Sequence, residues 1–202
     1  MAAPGERSPT VVLMLGEPGS GKTELGTTLA GTLRVPFLAR DDVRTGLYFT
    51  TGAWGDQPGP PPPRDDATGA FLSLVETMAG LGVSCVAEYV IRDDRPEDLE
   101  RITRVARCVG VRTWCDDAAA RRATREQADP LLRRPPVLAA LGYRTIDEHV
   151  AQATTRMAEV TSQMRTAFDF PVLGVSTNDG YDPSIPEIVE FVASCAGGGQ
   201  PR

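Results

Sequence analysis

Basic residues other than arginine are almost missing from this chain. Of its 202 residues, 21 are lysine or arginine, and Lys22 is the single lysine among them. Histidine is equally scarce, with His149 the one instance. The four cysteines, Cys85, Cys108, Cys115 and Cys195, show no Cys-x-x-Cys spacing. The expectation is therefore reduced, packed thiols of the kind cytosolic proteins carry. A surplus of positive charge is lacking too. The net charge of −6 and the pI near 4.9 argue against broad nucleic-acid or anionic-membrane binding, which needs a positive face. No apolar run approaches the roughly 18 residues of a membrane span, and Met1–Pro9 carries no apolar targeting core. A soluble, cytoplasmic protein without internal repeats is expected.

What the chain does have is concentrated early. An apolar, β-branched run (Val11, Val12, Leu13, Met14, Leu15) leads into Gly16-Glu17-Pro18-Gly19-Ser20-Gly21-Lys22-Thr23. Behind it, Leu25, Leu29 and Leu33 recur at helical spacing. Strand, glycine loop, helix is the setting of a phosphate-binding loop. Its glycines let backbone N–H groups converge on an anion, and the helix N-terminus adds partial positive charge. Lys22 can reach the β- and γ-phosphates, and the Thr23 hydroxyl can ligate Mg²⁺. A chain this biased to arginine keeps lysine where a compact ammonium matters. The expected ligand is a nucleoside triphosphate.

Val35-Pro36-Phe37-Leu38 reads as a second strand, with Asp41, Asp42 and Arg44 beyond its C-terminal end, where open α/β sheets place ligands. Asp41 is the candidate catalytic base. Asp42 is free to cap a helix beginning near Val43. Residues 49–66 hold Trp54 and the proline run 58–63, a stiff extended loop placed over an acceptor pocket. A helix follows over 67–81, then a third strand over 83–90. Glu88, near its end, is the candidate acidic partner for a metal or its waters. The spacing predicts a helix after Pro96 and a strand over 111–115.

Residues 118–127 read as a helix carrying Arg121, Arg122 and Arg125, broken at Asp129-Pro130 and followed by Arg133 and Arg134. Such arginines form either a solvated face or a lid that folds over a triphosphate. Arg125, nearest the break, is the first candidate to meet charge in the transition state, with Arg121, Arg133 and Arg134 behind it. Thr145-Ile146-Asp147-Glu148 is a capping box that opens a long helix striped to Phe168. His149 sits one position off that stripe and reads as incidental. A fifth strand spans 171–175, the loop 176–180 includes Asn178, and Ser184…Glu187 caps the final helix.

The motif order resembles the small P-loop kinases typified by chloramphenicol phosphotransferase, the kinase domain of phage polynucleotide kinase, and the zeta toxins. The resemblance covers nearly the whole chain. Asp41-Asp42-Val43-Arg44 is similar to the Asp-Asp-x-Arg motif of the polynucleotide kinase, in which the first Asp is the base and the Arg contacts the acceptor. Residues 111–116 are similar to the approach to the lid in the antibiotic enzyme, and 176–180 to the loop that packs on adenine. Glu88 stands where such proteins usually carry Asp. The resemblance implies an α/β P-loop NTPase fold, a parallel sheet of strand order 2-3-1-4-5 with helices on both faces, and ATP with Mg²⁺. One domain over 1–196 is expected, with an arginine-rich lid at about 118–140 and a loose tail at 197–202.

The implied activity is ATP-dependent phosphoryl transfer to a hydroxyl of a small molecule, an antibiotic, nucleoside or other metabolite. The implied ATP site is Gly16, Pro18, Gly19, Ser20, Gly21, Lys22, Thr23, Arg121, Arg125 and Asn178. The acceptor site is Asp41, Arg44, Glu88, Arg133 and Arg134, and the metal ligands are Thr23 and Glu88. Lys22, Asp41 and Arg125 are the catalytic set. The alternative is a nucleotide-binding switch without an acceptor; a nucleic-acid end kinase is disfavoured by the charge. The small-molecule acceptor is the expected partner, with a homodimer as the one further assembly considered. No membrane partner is expected.

Overall fold

The centre of the molecule is the first strand, β1 (Thr10–Leu15), all six residues of which are buried. The computed structural model describes residues 8–50, 64–129, 132, 138 and 142–197. Within them, β2 (Phe37–Ala39), β3 (Cys85–Glu88), β4 (Arg107–Trp114) and β5 (Val172–Ser176) join β1. The five strands make one sheet in the order β2-β3-β1-β4-β5, and every pairing is parallel. Parallel neighbours need crossover connections, and the helices supply them. These are α1 (Lys22–Leu33), α2 (Arg40–Thr50), α3 (Arg64–Gly80), α4 (Pro96–Val105), α5 (Ala118–Ala128), α6 (Ile146–Ser162) and α7 (Ile185–Ala196).

Alternation along β1 separates two cores. Val11, Leu13 and Leu15 face Phe71, Leu72 and Val75 of α3 and Leu99 and Ile102 of α4. Val12 and Met14 face Leu25 and Leu29 of α1 and Ile188 and Val192 of α7. Each buried branched side chain is worth about 1.5–3 kcal/mol, so β1 is clamped from both sides. Among the described residues, no helix is long and apolar enough to cross a membrane. Cys85 and Cys108 sit opposite Val11 on its two flanks. Burial pushes their thiols up, to about 11 and about 12, which keeps them protonated.

Gly26, midway along α1, faces Phe37. A Cβ built there lies 2.7 Å from the Phe37 ring and 3.0 Å from the Met14 side chain. Helix propensity alone favours Gly26→Ala by about 1 kcal/mol. The crowding reverses the sign: Gly26→Ala is expected to lower stability by about 1–3 kcal/mol, read as an earlier denaturant midpoint at unchanged slope.

Several boundaries differ from the sequence reading. Helix α2 begins at Arg40, so Asp42 lies inside the first turn and does not cap a helix near Val43. The strand before it spans three residues, and Asp in a first turn complements the helix dipole. Strand β4 starts at Arg107, paired with Thr10. Helix α6 starts where expected, with Thr145 accepting from the Glu148 N–H at 3.1 Å. It ends at Ser162, not near Phe168, because the chain leaves the helix to meet the segment after β3. There Asp93 N–H donates to Gln163 O at 3.0 Å and Arg165 N–H to Ile91 O at 3.0 Å. The expected cap of α7 is present, with Ser184 N–H donating to Glu187 Oε2 at 2.8 Å. The proline run 58–63 and Trp54 lie outside the described residues.

Candidate active site

The loop between β1 and α1 is shaped by close approach. Gly16 has φ +124°, and a Cβ there would lie 2.2 Å from the Thr113 carbonyl oxygen. Gly19 has φ +93°, and its Cβ would lie 2.1 Å from the Ala118 carbonyl oxygen. Neither position can hold a side chain, for steric and backbone reasons together. The buried Ser20 hydroxyl donates to Glu17 O at 2.7 Å and shares a hydrogen bond of 2.7 Å with Thr113 Oγ1 on β4. Thr177, just past β5, donates to Ser20 O at 3.1 Å. Two neighbouring strands thus fix the loop. Thr113 and Thr177 escaped the sequence reading because no local pattern marks a contact made 93 or 157 residues away.

Lys22 opens α1 and is 5% exposed. Its Nζ donates to Glu17 O at 2.6 Å, which curls it over the loop. Burial pushes its ammonium down to about 8, with Glu88 and Asp41 opposing the shift and Arg125 and Arg122 adding to it. Thr23, one residue on, donates to Glu88 Oε1 at 3.1 Å. Glu88 closes β3 in register with Met14 on one side and Ala39 on the other. Burial holds its carboxyl above the ordinary range, against the pull of the Thr23 hydrogen bond and Lys22. Asp41 adds to that rise and Arg125 opposes it. Lys22, Thr23, Glu88, Asp41, Arg125 and Arg122 therefore share one electrostatic neighbourhood at the C-terminal edge of the sheet.

The other expected residues are placed differently. Arg121 is committed to the turn after β5, where Nη1 donates to Thr177 O at 2.8 Å and Nη2 to Asn178 O at 3.1 Å. Its Nε pairs with Asp117 at 2.7 Å. Asn178 accepts from Asp116 N–H at 3.0 Å and donates to Asp116 Oδ2 at 3.1 Å. Arg121 and Asn178, with Gly21, Glu24, Thr177 and Tyr181, line a cleft of about 260 Å³ beside the loop. Lys22 is not among the residues that line it.

Arg122, named among the arginines of this helix but not among the expected site residues, has its Cβ 3.1 Å from a Cβ built on Gly19. The signal was its helical register with Ala118, four residues earlier. Arg122 Nε pairs with Glu126 at 2.8 Å, and Glu126 lies 3.5 Å from His149 Nε2 on α6. His149 also meets the Tyr143 ring edge-on at 4.7 Å. It thus links α5 to α6. Burial lowers its pKa, Glu126 opposes this, and Arg122, Arg156 and Arg44 add to it. The charge of Arg44 on α2 is therefore felt at His149 on α6. Arg133 and Arg134 lie outside the described residues.

Among the described residues, no group of three or more His, Cys, Asp or Glu could hold a metal ion. Thr23 and Glu88 supply two adjacent oxygen donors, and that donor set suits a hard cation that takes its remaining ligands from phosphate and water.

Solved structures similar to this chain share its sheet. A candidate kinase from Chloroflexus aurantiacus J-10-fl superposes with TM-score 0.64 at 21% identity, covering 93% of this chain and 98% of that one. A gluconokinase from Sinorhizobium meliloti 1021 gives 0.53 at 15% identity, covering 95% and 93%. A sugar kinase from Janibacter sp. HTCC2649 gives 0.50 at 16% identity, covering 94% and 95%. At such identities the likeness is one of fold, a P-loop kinase-like fold. No protein-family model matches the chain, and no curated protein matches it.

Proposed function

We propose that the protein is an ATP-dependent phosphotransferase that moves the γ-phosphoryl group to a hydroxyl of a small molecule. The observation that carries this reading is an exposed carboxylate, Asp41, whose charge is felt in the phosphate-binding neighbourhood. The Asp41 side chain is 86% exposed, yet its charge acts on both Lys22 and Glu88. A nucleotide switch needs Lys22, Thr23 and an acidic partner; attack on the γ-phosphorus by an alcohol or a water also needs a group that aligns the nucleophile and takes its proton.

In this reading the acceptor oxygen attacks the γ-phosphorus, a new P–O bond forms, and the bond to the bridging β–γ oxygen breaks. ADP leaves, and the acceptor proton passes to Asp41. Lys22 neutralises the β- and γ-phosphates, and Arg125 meets charge that builds as the bond breaks. Thr23 and Glu88 would hold Mg²⁺, which supplies charge neutralisation on the phosphate oxygens. The cleft beside Arg121 and Asn178 takes the base and ribose. The acceptor classes to test are hydroxylated antibiotics, sugars, nucleosides and other metabolites, among which the motif order does not choose.

The test is ADP release from MgATP, with and without a panel of hydroxylated antibiotics, sugars and nucleosides, with products identified by mass spectrometry. At least one compound is expected to raise ADP release above the water background and to gain a phosphate on a hydroxyl oxygen. ADP release that no compound stimulates would favour a nucleotide-binding switch.

A further inference from the structure

Asp41 is held from beneath. Its side chain is 86% exposed, while that of Arg40, which grips it, is 10% exposed. Arg40 Nη1 donates to Asp41 Oδ1 at 3.0 Å, and Arg40 Nε reaches Thr68 Oγ1 on α3 at 3.4 Å. Successive residues on a helix point about 100° apart and do not ordinarily face each other. The pair is therefore not a by-product of helical geometry. Burying a guanidinium carries a desolvation cost, and an ion pair with an exposed carboxylate offsets it only in part.

Arg40 also acts on the far side of the site. Its charge is felt at Tyr89, the residue after Glu88, whose hydroxyl donates to the buried Asp98 Oδ2 at 2.5 Å. The guanidinium thus relates the start of α2 to α3 and to the end of β3.

We propose that Arg40 is the positioning residue of the Asp41 base. By taking Oδ1 it fixes the carboxylate and presents Oδ2 to the acceptor hydroxyl. The assignment rests on the phosphotransferase reading above, in which Asp41 is the base.

The test is a double-mutant cycle on the full-length protein. It measures MgATP turnover with water as the acceptor, and with any hydroxyl compound that stimulates ADP release. Arg40→Gln is expected to lower kcat about tenfold, because a misdirected base loses alignment with the attacking oxygen. The KM for ATP should stay within about twofold, since ground-state binding is untouched. Arg40→Lys, which keeps one charged donor, should recover part of the loss. In an Asp41→Asn background, Arg40→Gln should cost nothing further.

A kcat for Arg40→Gln within about twofold of wild type overturns the proposal. So does a loss that multiplies fully with that of Asp41→Asn. If Asp41→Asn itself is silent, the base assignment fails and this proposal fails with it. Should Arg40→Gln not fold by circular dichroism, Arg40→Lys in both Asp41 backgrounds supplies the same cycle.

Discussion

Lys22→Ala is expected to lower phosphoryl transfer by about 10³-fold or more, because in the proposed mechanism the buried ammonium neutralises the β- and γ-phosphates. Lys22→Arg should fail nearly as badly. The ammonium fits a curled loop, with Nζ 2.6 Å from Glu17 O; the wider, planar guanidinium does not. Turnover of Lys22→Arg at the wild-type rate would remove the phosphate-loop assignment. The same residue sets a pH dependence. In the free protein burial brings the Lys22 pKa down to about 8, so the cation is complete below that pH and is lost as pH rises through it. A bound triphosphate favours the charged form and raises the pKa again. ATP affinity should therefore weaken as pH rises above about 8, with proton uptake on binding. Isothermal titration calorimetry in buffers of different ionisation enthalpy reads both.

Asp41→Asn is expected to lower kcat by about 10²-fold or more while ATP binding is retained. The amide keeps the shape, and its oxygen can still accept from Arg40, but it cannot take the acceptor proton. Asp42→Asn should leave kcat within about twofold. Asp42 is exposed in the first turn of α2, and its loss removes only a favourable helix-dipole term of about 0.3–1 kcal/mol. Steady-state kinetics on the two variants decides between them. A dead Asp42→Asn beside an active Asp41→Asn would exchange the two roles, and silence in both would end the phosphotransferase mechanism.

The strands and the glycine loop were legible in the residues themselves, and the strand order followed from the resemblance to P-loop kinases. The apolar run before Gly16 specifies a strand buried on both faces, and Gly16, Gly19 and Gly21 with Lys22 and Thr23 specify an anion cradle wherever that strand lies. Glu88 was legible because a carboxylate at the end of a near-continuous apolar run is out of place unless something pairs with it. These features are local, set by covalent geometry and by periodicity within a few residues.

The start of α2 was not legible in the same way. A three-residue strand gives too little pattern to fix its end, so whether Asp42 caps a helix or lies inside it depended on where β2 stops pairing with β3. The arginines divided for a related reason. Arg121, Arg122 and Arg125 share one helix and one composition, but their tasks depend on what packs against that helix. The carbonyls of Thr177 and Asn178 claim Arg121, while the close approach of α5 to Gly19 turns Arg122 toward the loop. A side chain's type limits the chemistry it can do. Which chemistry it does is decided by partners that only the folded chain brings within a few ångströms.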